Sequence, residues 1–157
     1  MLIEHITLIT NLLVIILLII ISVIDLKKLY IPNFLTVALI IIGLIYNQFI
    51  KDNLLNSFLG MGVYSIPFSL IYGYVSDLLD KEVLGYGDIK LAMGVGAYLG
   101  FTNFQNMYLF FLISYITASV YCVYILLKNR GSKKQNIQIP FAPFISISGC
   151  IMILVGG

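Results

Sequence analysis

The sequence predicts an all-α integral membrane protein: one domain over residues 1–157, a bundle of six transmembrane helices with N-terminus and C-terminus outside. Three observations carry this expectation. Hydrophobic residues make up 61% of the chain and charged residues 10%, against roughly 25% charged in a soluble domain. The apolar residues gather into six blocks, each near the length of about 20 residues that crosses a bilayer. The basic residues fall almost entirely in alternate breaks between those blocks.

The first block, Ile6–Ile24, follows Glu4 and His5 with no basic stretch before it, so it reads as a retained helix and not a cleaved signal peptide. Asp25–Asn33 closes it, and Pro32 sets the start of the second block, Phe34–Ile50. Lys51-Asp52-Asn53 is a short turn before the third, Leu54–Val75. Ser76–Gly85 is a polar break with Asp77, Asp80 and Glu82, read as a solvated acidic loop. The fourth block, Tyr86–Phe104, carries glycines 87, 94, 96 and 100, residues that let helices pack closely. Asn103–Asn106 leads into the fifth, Met107–Leu127. Lys128–Asn136 leads into the sixth, Ile137–Val155, whose start Pro140 and Pro143 shape. No repeat or low-complexity tract interrupts this order.

Orientation follows from charge. Lys27, Lys28, Lys81, Lys90, Lys128, Arg130, Lys133 and Lys134 share one side, eight of nine basic residues, and Lys51 stands alone on the other. The larger set belongs in the cytoplasm, which places the chain in a cell membrane with both ends outward. The net charge of +2 without a basic, aromatic-rich run gives no nucleic-acid surface. Cys122 and Cys150 lie in apolar stretches without paired spacing and read as buried free thiols.

Chemistry collects on the cytoplasmic face. Gly85-Tyr86-Gly87-Asp88-Ile89-Lys90 sets a carboxylate beside two glycines at the head of an apolar run. A charge there is costly, and is a functional hypothesis in need of a partner. Asp25 closes the first helix on the same side. A carboxylate at a helix C-terminus opposes the helix dipole; taken alone, Asp25 reads as an interfacial acid balanced by Lys27 and Lys28. Taken together, two carboxylates in a partly dry site cannot both ionise easily, so the pair retains one proton near neutral pH. One member then draws a proton from water while the other polarises a peptide carbonyl, and the pair titrates as a unit. Such chemistry needs no metal and no cofactor. The chain offers one His and no Gly-x-Ser-x-Gly elbow, His-Glu-x-x-His or Walker loop.

These residues resemble a known family. Asp25-Leu-Lys-Lys-Leu-Tyr-Ile31-Pro32-Asn33 resembles the first catalytic motif of type IV prepilin peptidases, an Asp followed after a basic stretch by Ile-Pro-Asn. Gly85-Tyr-Gly87-Asp88-Ile-Lys90 matches their second, Gly-x-Gly-Asp-x-Lys, and Pro140-Phe141-Ala-Pro143 resembles their Pro-Phe-x-Pro segment. The resemblance implies an aspartyl endopeptidase of the bacterial cytoplasmic membrane with Asp25 and Asp88 as its dyad. It implies a substrate as well: a prepilin or pseudopilin with a short basic leader and an apolar helix, cut at their junction on the cytoplasmic face. Pro140, Phe141 and Pro143 would then border a substrate groove, and the acidic loop could receive the leader. Larger members carry an N-terminal region with two Cys-x-x-Cys pairs linked to N-methylation; this chain has neither pair, and methyltransferase activity is not expected. Leu29 and Tyr30 stand where many relatives have further basic residues.

Lys90 follows Asp88 by two positions, so the helix does not bring them face to face, and its expected role is to reach for lipid headgroups. Other classes fit parts of the pattern. Gly-Tyr-Gly-Asp also ends a potassium-channel selectivity filter, although Val83-Leu84 replaces the Thr-Val that precedes it there and Asp25 goes unexplained. A non-catalytic assembly subunit could retain the same fold. Magnesium-dependent transfer of lipid or phosphate would need clustered acids, and Asp25 and Asp88 are single acids on separate helices.

Overall fold

In the computed structural model, residues 2–79, 84–128 and 139–156 are described. Asp80, Lys81, Glu82, Val83, Arg130, Lys133, Lys134 and the first residues of the sixth block lie outside them. Every element among the described residues is helical. Helix α1 spans Leu2–Lys28, α2 Asn33–Phe49 and α3 Leu54–Leu70. A π-helical stretch, Ile71–Val75, continues α3 into the short α4, Ser76–Leu79. Helix α5 spans Tyr86–Leu99, α6 Phe104–Lys128 and α7 Ala142–Gly156.

Among the described residues, three stretches are long and apolar enough to cross a membrane: Ile3–Lys28, Leu54–Tyr74 and Phe104–Lys128. Leu8, Ile9, Leu12, Ile16 and Ile19 of α1, with Val120, Val123 and Leu127 of α6, face outward. An exterior of that kind suits lipid and not water. The chain is an α-helical membrane protein.

Helix ends follow local chemistry. Leu29 (φ 51°) takes the left-handed conformation just past α1, and its N–H donates to Asp25 O at 2.8 Å. Pro32 caps α2 in extended geometry, with its carbonyl accepting from Leu35 and Thr36. Asn53 caps α3 by accepting from Asn56 N at 3.2 Å, and Asn103 caps α6 by accepting from Asn106 N at 2.8 Å.

Helix α5 is the shaft of the bundle. It packs most extensively against α3 and α2, and Leu91, Ala92, Val95, Ala97 and Tyr98 are all buried. It is also shorter than the apolar block that foretold it, ending at Leu99 and not at Phe104. Gly100, at φ 71°, turns the chain out of the helix, a conformation costly for any residue with a Cβ. Fourteen residues reach about 21 Å, short of a hydrocarbon core of roughly 30 Å. The helix therefore ends among protein groups that satisfy its carbonyls. Asn47 Nδ2 donates to Ala97 O at 2.8 Å and to Tyr98 O at 3.0 Å, and the Ser57 hydroxyl also donates to Ala97 O. At the same end the Tyr98 hydroxyl bonds the Asn11 side chain, tying α5 to α1.

The close approach rests on small residues. A Cβ on Gly94 would lie 2.8 Å from Leu39 Cδ2, and one on Gly96 would run into the Gly60 carbonyl of α3. Asn47→Ala should remove the donor that satisfies two buried carbonyls, at a cost of about 2 kcal/mol. The thermal midpoint in detergent is expected to fall by about 4–8 °C; an unchanged midpoint would contradict this account of the α5 terminus.

Candidate active site

Asp88 sits in the first turn of α5 and is 6% exposed. Its Oδ2 accepts from Gly85 N at 3.1 Å, while Gly85 O accepts from Asp88 N at 3.0 Å. The carboxylate thus closes the start of its own helix, where anionic groups are favoured. Its Oδ1 is buried and has no hydrogen-bond partner among the described residues, which costs roughly 1–3 kcal/mol or more for a charged group. Tyr86, Gly87 and Asp88 are all helical, so their carbonyls point into the α5 ladder and do not form a row able to hold an ion.

Asp25 lies in the last turn of α1 and is 5% exposed. From sequence its place at a helix C-terminus looked unfavourable; the structure resolves this through a different helix. Asp25 Oδ2 accepts from Ala142 N at 3.1 Å. Ala142 is the first residue of α7, and its N–H is one of the donors a helix start leaves free. Pro143, next in line, has no N–H to satisfy, and Phe144 N bonds back to Phe141 O at 3.1 Å. The Pro-Phe-Ala-Pro segment therefore delivers one backbone donor to Asp25, and the positive end of the α7 dipole with it.

Asp25 and Asp88 line the same cavity, of about 760 Å³. Of the residues singled out from sequence, Ile31, Asn33, Gly85, Gly87, Lys90, Pro140 and Phe141 also line it. Pro32 and Pro143 do not; they shape the helix starts behind the wall. A Cβ on Gly87 would lie 3.0 Å from Ile31 Cβ, so the glycine makes room for the Ile-Pro-Asn segment. Lys90 does more than reach outward. Its Nζ donates to Asn33 Oδ1 at 2.9 Å and stands 4.8 Å from the centre of the Tyr86 ring, which joins the two segments at the cavity mouth.

Sequence reasoning missed part of the wall. Ala142 acts through its backbone, which no residue type advertises. Tyr115, Ala118 and Cys122 of α6 line the cavity at helical spacing, and Ile71 enters from the π-helical stretch. An i, i+3, i+7 stripe on α6 was visible in the sequence, but every helix of an apolar bundle carries such stripes. Among the described residues no group of three or more His, Cys, Asp and Glu is gathered as metal ligands would be.

The fold and cavity define a class: a helical membrane protein with two buried carboxylates bordering one opening, each with one oxygen held by backbone. Residues 12–123 match the type IV leader peptidase family. The chain belongs to that family. It is 30% identical over 145 residues to a prepilin leader peptidase/N-methyltransferase of Pectobacterium carotovorum subsp. carotovorum, covering 89% of this chain and 49% of that protein. The same named protein of Aeromonas hydrophila is 35% identical over 141 residues, 85% of this chain and 44% of the relative. Leader peptidase HopD of Escherichia coli is 29% identical over 135 residues, 82% of this chain and 81% of the relative. The chain spans about half the length of the first two relatives. No solved structure matches it significantly.

Asp88→Asn keeps an oxygen for the Gly85 N–H and removes a buried charge from the cavity that Asp25 also lines. Candidate catalytic groups are held at a cost in stability, so this variant should melt at or up to about 2–4 °C above the unaltered protein, equivalent to roughly 1 kcal/mol. A midpoint lower by several degrees would show that the carboxylate is structural.

Proposed function

We propose that this protein is a membrane aspartyl endopeptidase that removes the basic leader from type IV prepilin or pseudopilin-like precursors. The observation that carries the reading is the pair Asp25 and Asp88, both buried, lining one cavity and each fixed through one oxygen. Membership of the leader peptidase family supplies the substrate class.

The chemistry follows from burial. Two adjacent carboxylates hold one proton between them, because ionising both in a dry site is unfavourable. A peptide bond and a water enter between them. The ionised carboxylate takes a proton from the water as its oxygen bonds to the carbonyl carbon, and the protonated one gives its proton to the carbonyl oxygen. The tetrahedral intermediate collapses as the C–N bond breaks: the carboxyl that took the water's proton gives it to the amine nitrogen, and one hydroxyl of the intermediate returns its proton to the other carboxylate. The leader leaves with a new carboxyl group, the apolar helix with a new amine, and the pair again holds one proton. Backbone donors at Gly85 and Ala142 fix the carboxylates beforehand, so little reorganisation accompanies the step.

Six crossings with both termini outside and the cavity on the cytoplasmic face of a bacterial cell membrane complete the proposal. The support is the charge asymmetry: Lys27, Lys28, Lys90 and Lys128 lie at the cavity end of the bundle by sequence order, and Lys51 at the other. A precursor whose basic leader stays in the cytoplasm would then offer its junction at the depth of the aspartates. The apolar wall of Ile71, Ala118 and Cys122 suits the first turns of the helix that follows. Methyl transfer is no part of the proposal.

Asp25→Asn and Asp88→Asn should each abolish leader removal from a co-expressed prepilin, read by gel mobility and by mass spectrometry of the product, while the protein still inserts and folds. Normal processing by either variant would sink the dyad.

A further inference from the structure

Among the described residues, three buried side-chain polar atoms have no hydrogen-bond partner: Asp88 Oδ1, the Tyr115 hydroxyl and Ser146 Oγ. Two of the three belong to residues that line the same cavity, and Ser146 does not. One is a carboxylate oxygen; the other is a phenol able to donate.

Packing does not require a hydroxyl at position 115. The ring is held among other rings: Phe68 of α3 at 5.9 Å with planes 24° apart, Phe111 of α6 at 6.4 Å and 28°, and Phe141 before α7 at 5.9 Å and 52°. A phenylalanine would make all three contacts. A buried phenol normally finds an acceptor, and here the surrounding rings offer none. Aromatic neighbours from three segments fix where its oxygen points, which is the requirement for a preorganised donor. One of those neighbours, Phe141, adjoins the Ala142 N–H that holds Asp25, so the phenol and that carboxylate are positioned by the same short segment. Both unpartnered atoms are shielded from solvent, so each is satisfied only when another polar group is brought against it.

A peptide group brings what is missing. Its carbonyl oxygen is an acceptor for the phenol, and it gathers negative charge as water adds to the carbonyl carbon. We infer that Tyr115 is a third residue of the site, and that its hydroxyl donates a hydrogen bond to the carbonyl oxygen of the scissile peptide group. The inference rests on the proposed peptidase reading. It adds a transition-state donor from α6, a helix that carries none of the three motifs. No proton is transferred to or from the phenol: the bond strengthens as the carbonyl carbon becomes tetrahedral and negative charge gathers on its oxygen, and the dyad moves the protons.

The test compares purified unaltered protein, Tyr115→Phe and Tyr108→Phe on a synthetic peptide with a basic leader followed by an apolar helix. Tyr108 is exposed near the start of α6 and does not line the cavity, and its variant serves as the control. Tyr115→Phe should lower kcat by about 100-fold, the size of effect seen when one such donor is removed. KM should stay within about twofold, because the bond forms mainly in the transition state. The thermal midpoint should hold or rise, since an unpartnered buried hydroxyl has been removed. Tyr108→Phe should match the unaltered protein. A kcat for Tyr115→Phe within about twofold of the unaltered value would overturn the inference and leave the peptidase reading intact. A loss of activity accompanied by a lower midpoint or a raised KM would also overturn it, by making the hydroxyl structural. Failure of the unaltered protein to cut the peptide would overturn both.

Discussion

A carboxylate buried in an apolar bundle needs N–H donors, and a helical membrane protein has few to give. Every N–H inside a helix is already committed to a carbonyl one turn back. Only the first turns of helices have donors to spare. Asp88 takes one from the start of its own helix, through Gly85 N, and Asp25 takes one from the start of α7, through Ala142 N. The layout of the cavity depends on this constraint. It explains why a carboxylate at the end of α1 is tolerable, since the dipole it meets is that of α7 and not only its own.

The same constraint orders the three motif segments. Glycine at position 85 leaves the backbone open where Asp88 folds back on it; a Cβ there would come within 3.2 Å of Asp88 Oδ2. Gly87 yields to Ile31, and Lys90 joins Asn33, so the first and second segments meet at the mouth. Pro140 to Pro143 presents a single backbone donor from the third. Far from the cavity, Asn47 and Ser57 close the other end of α5, which lets a short helix stay within the bundle with its ends satisfied. Asp88 is thereby mounted on a helix packed against α2, α3 and α7. The cost is carried locally, in a carboxylate oxygen without a partner.

Much of this was legible in the sequence, and the remainder was hidden for physical reasons. Six apolar blocks and the charge bias reveal a helical membrane protein, and the Gly-x-Gly-Asp and Ile-Pro-Asn spacings single out Asp25 and Asp88. Helix lengths were less legible: hydrophobicity runs on through Phe101 and Phe104, whereas the helix ends where Gly100 turns left-handed. The place of Lys90 was less legible still: its bond to Asn33 links residues 57 positions apart, and no local pattern encodes it. Ala142 escaped notice because its contribution is a backbone N–H. Tyr115 escaped because aromatic residues are common in an apolar bundle, and only an unpartnered oxygen sets this one apart.

The central claim is that Asp25 and Asp88 act as one unit holding a single proton. It is tested most directly by the pH dependence of kcat/KM for purified protein cutting a synthetic leader–helix peptide. The account predicts a bell: the rate falls at low pH as both carboxylates become protonated, and at high pH as both lose their protons. A rate that climbs with pH to a plateau, through a single ionisation, would contradict it.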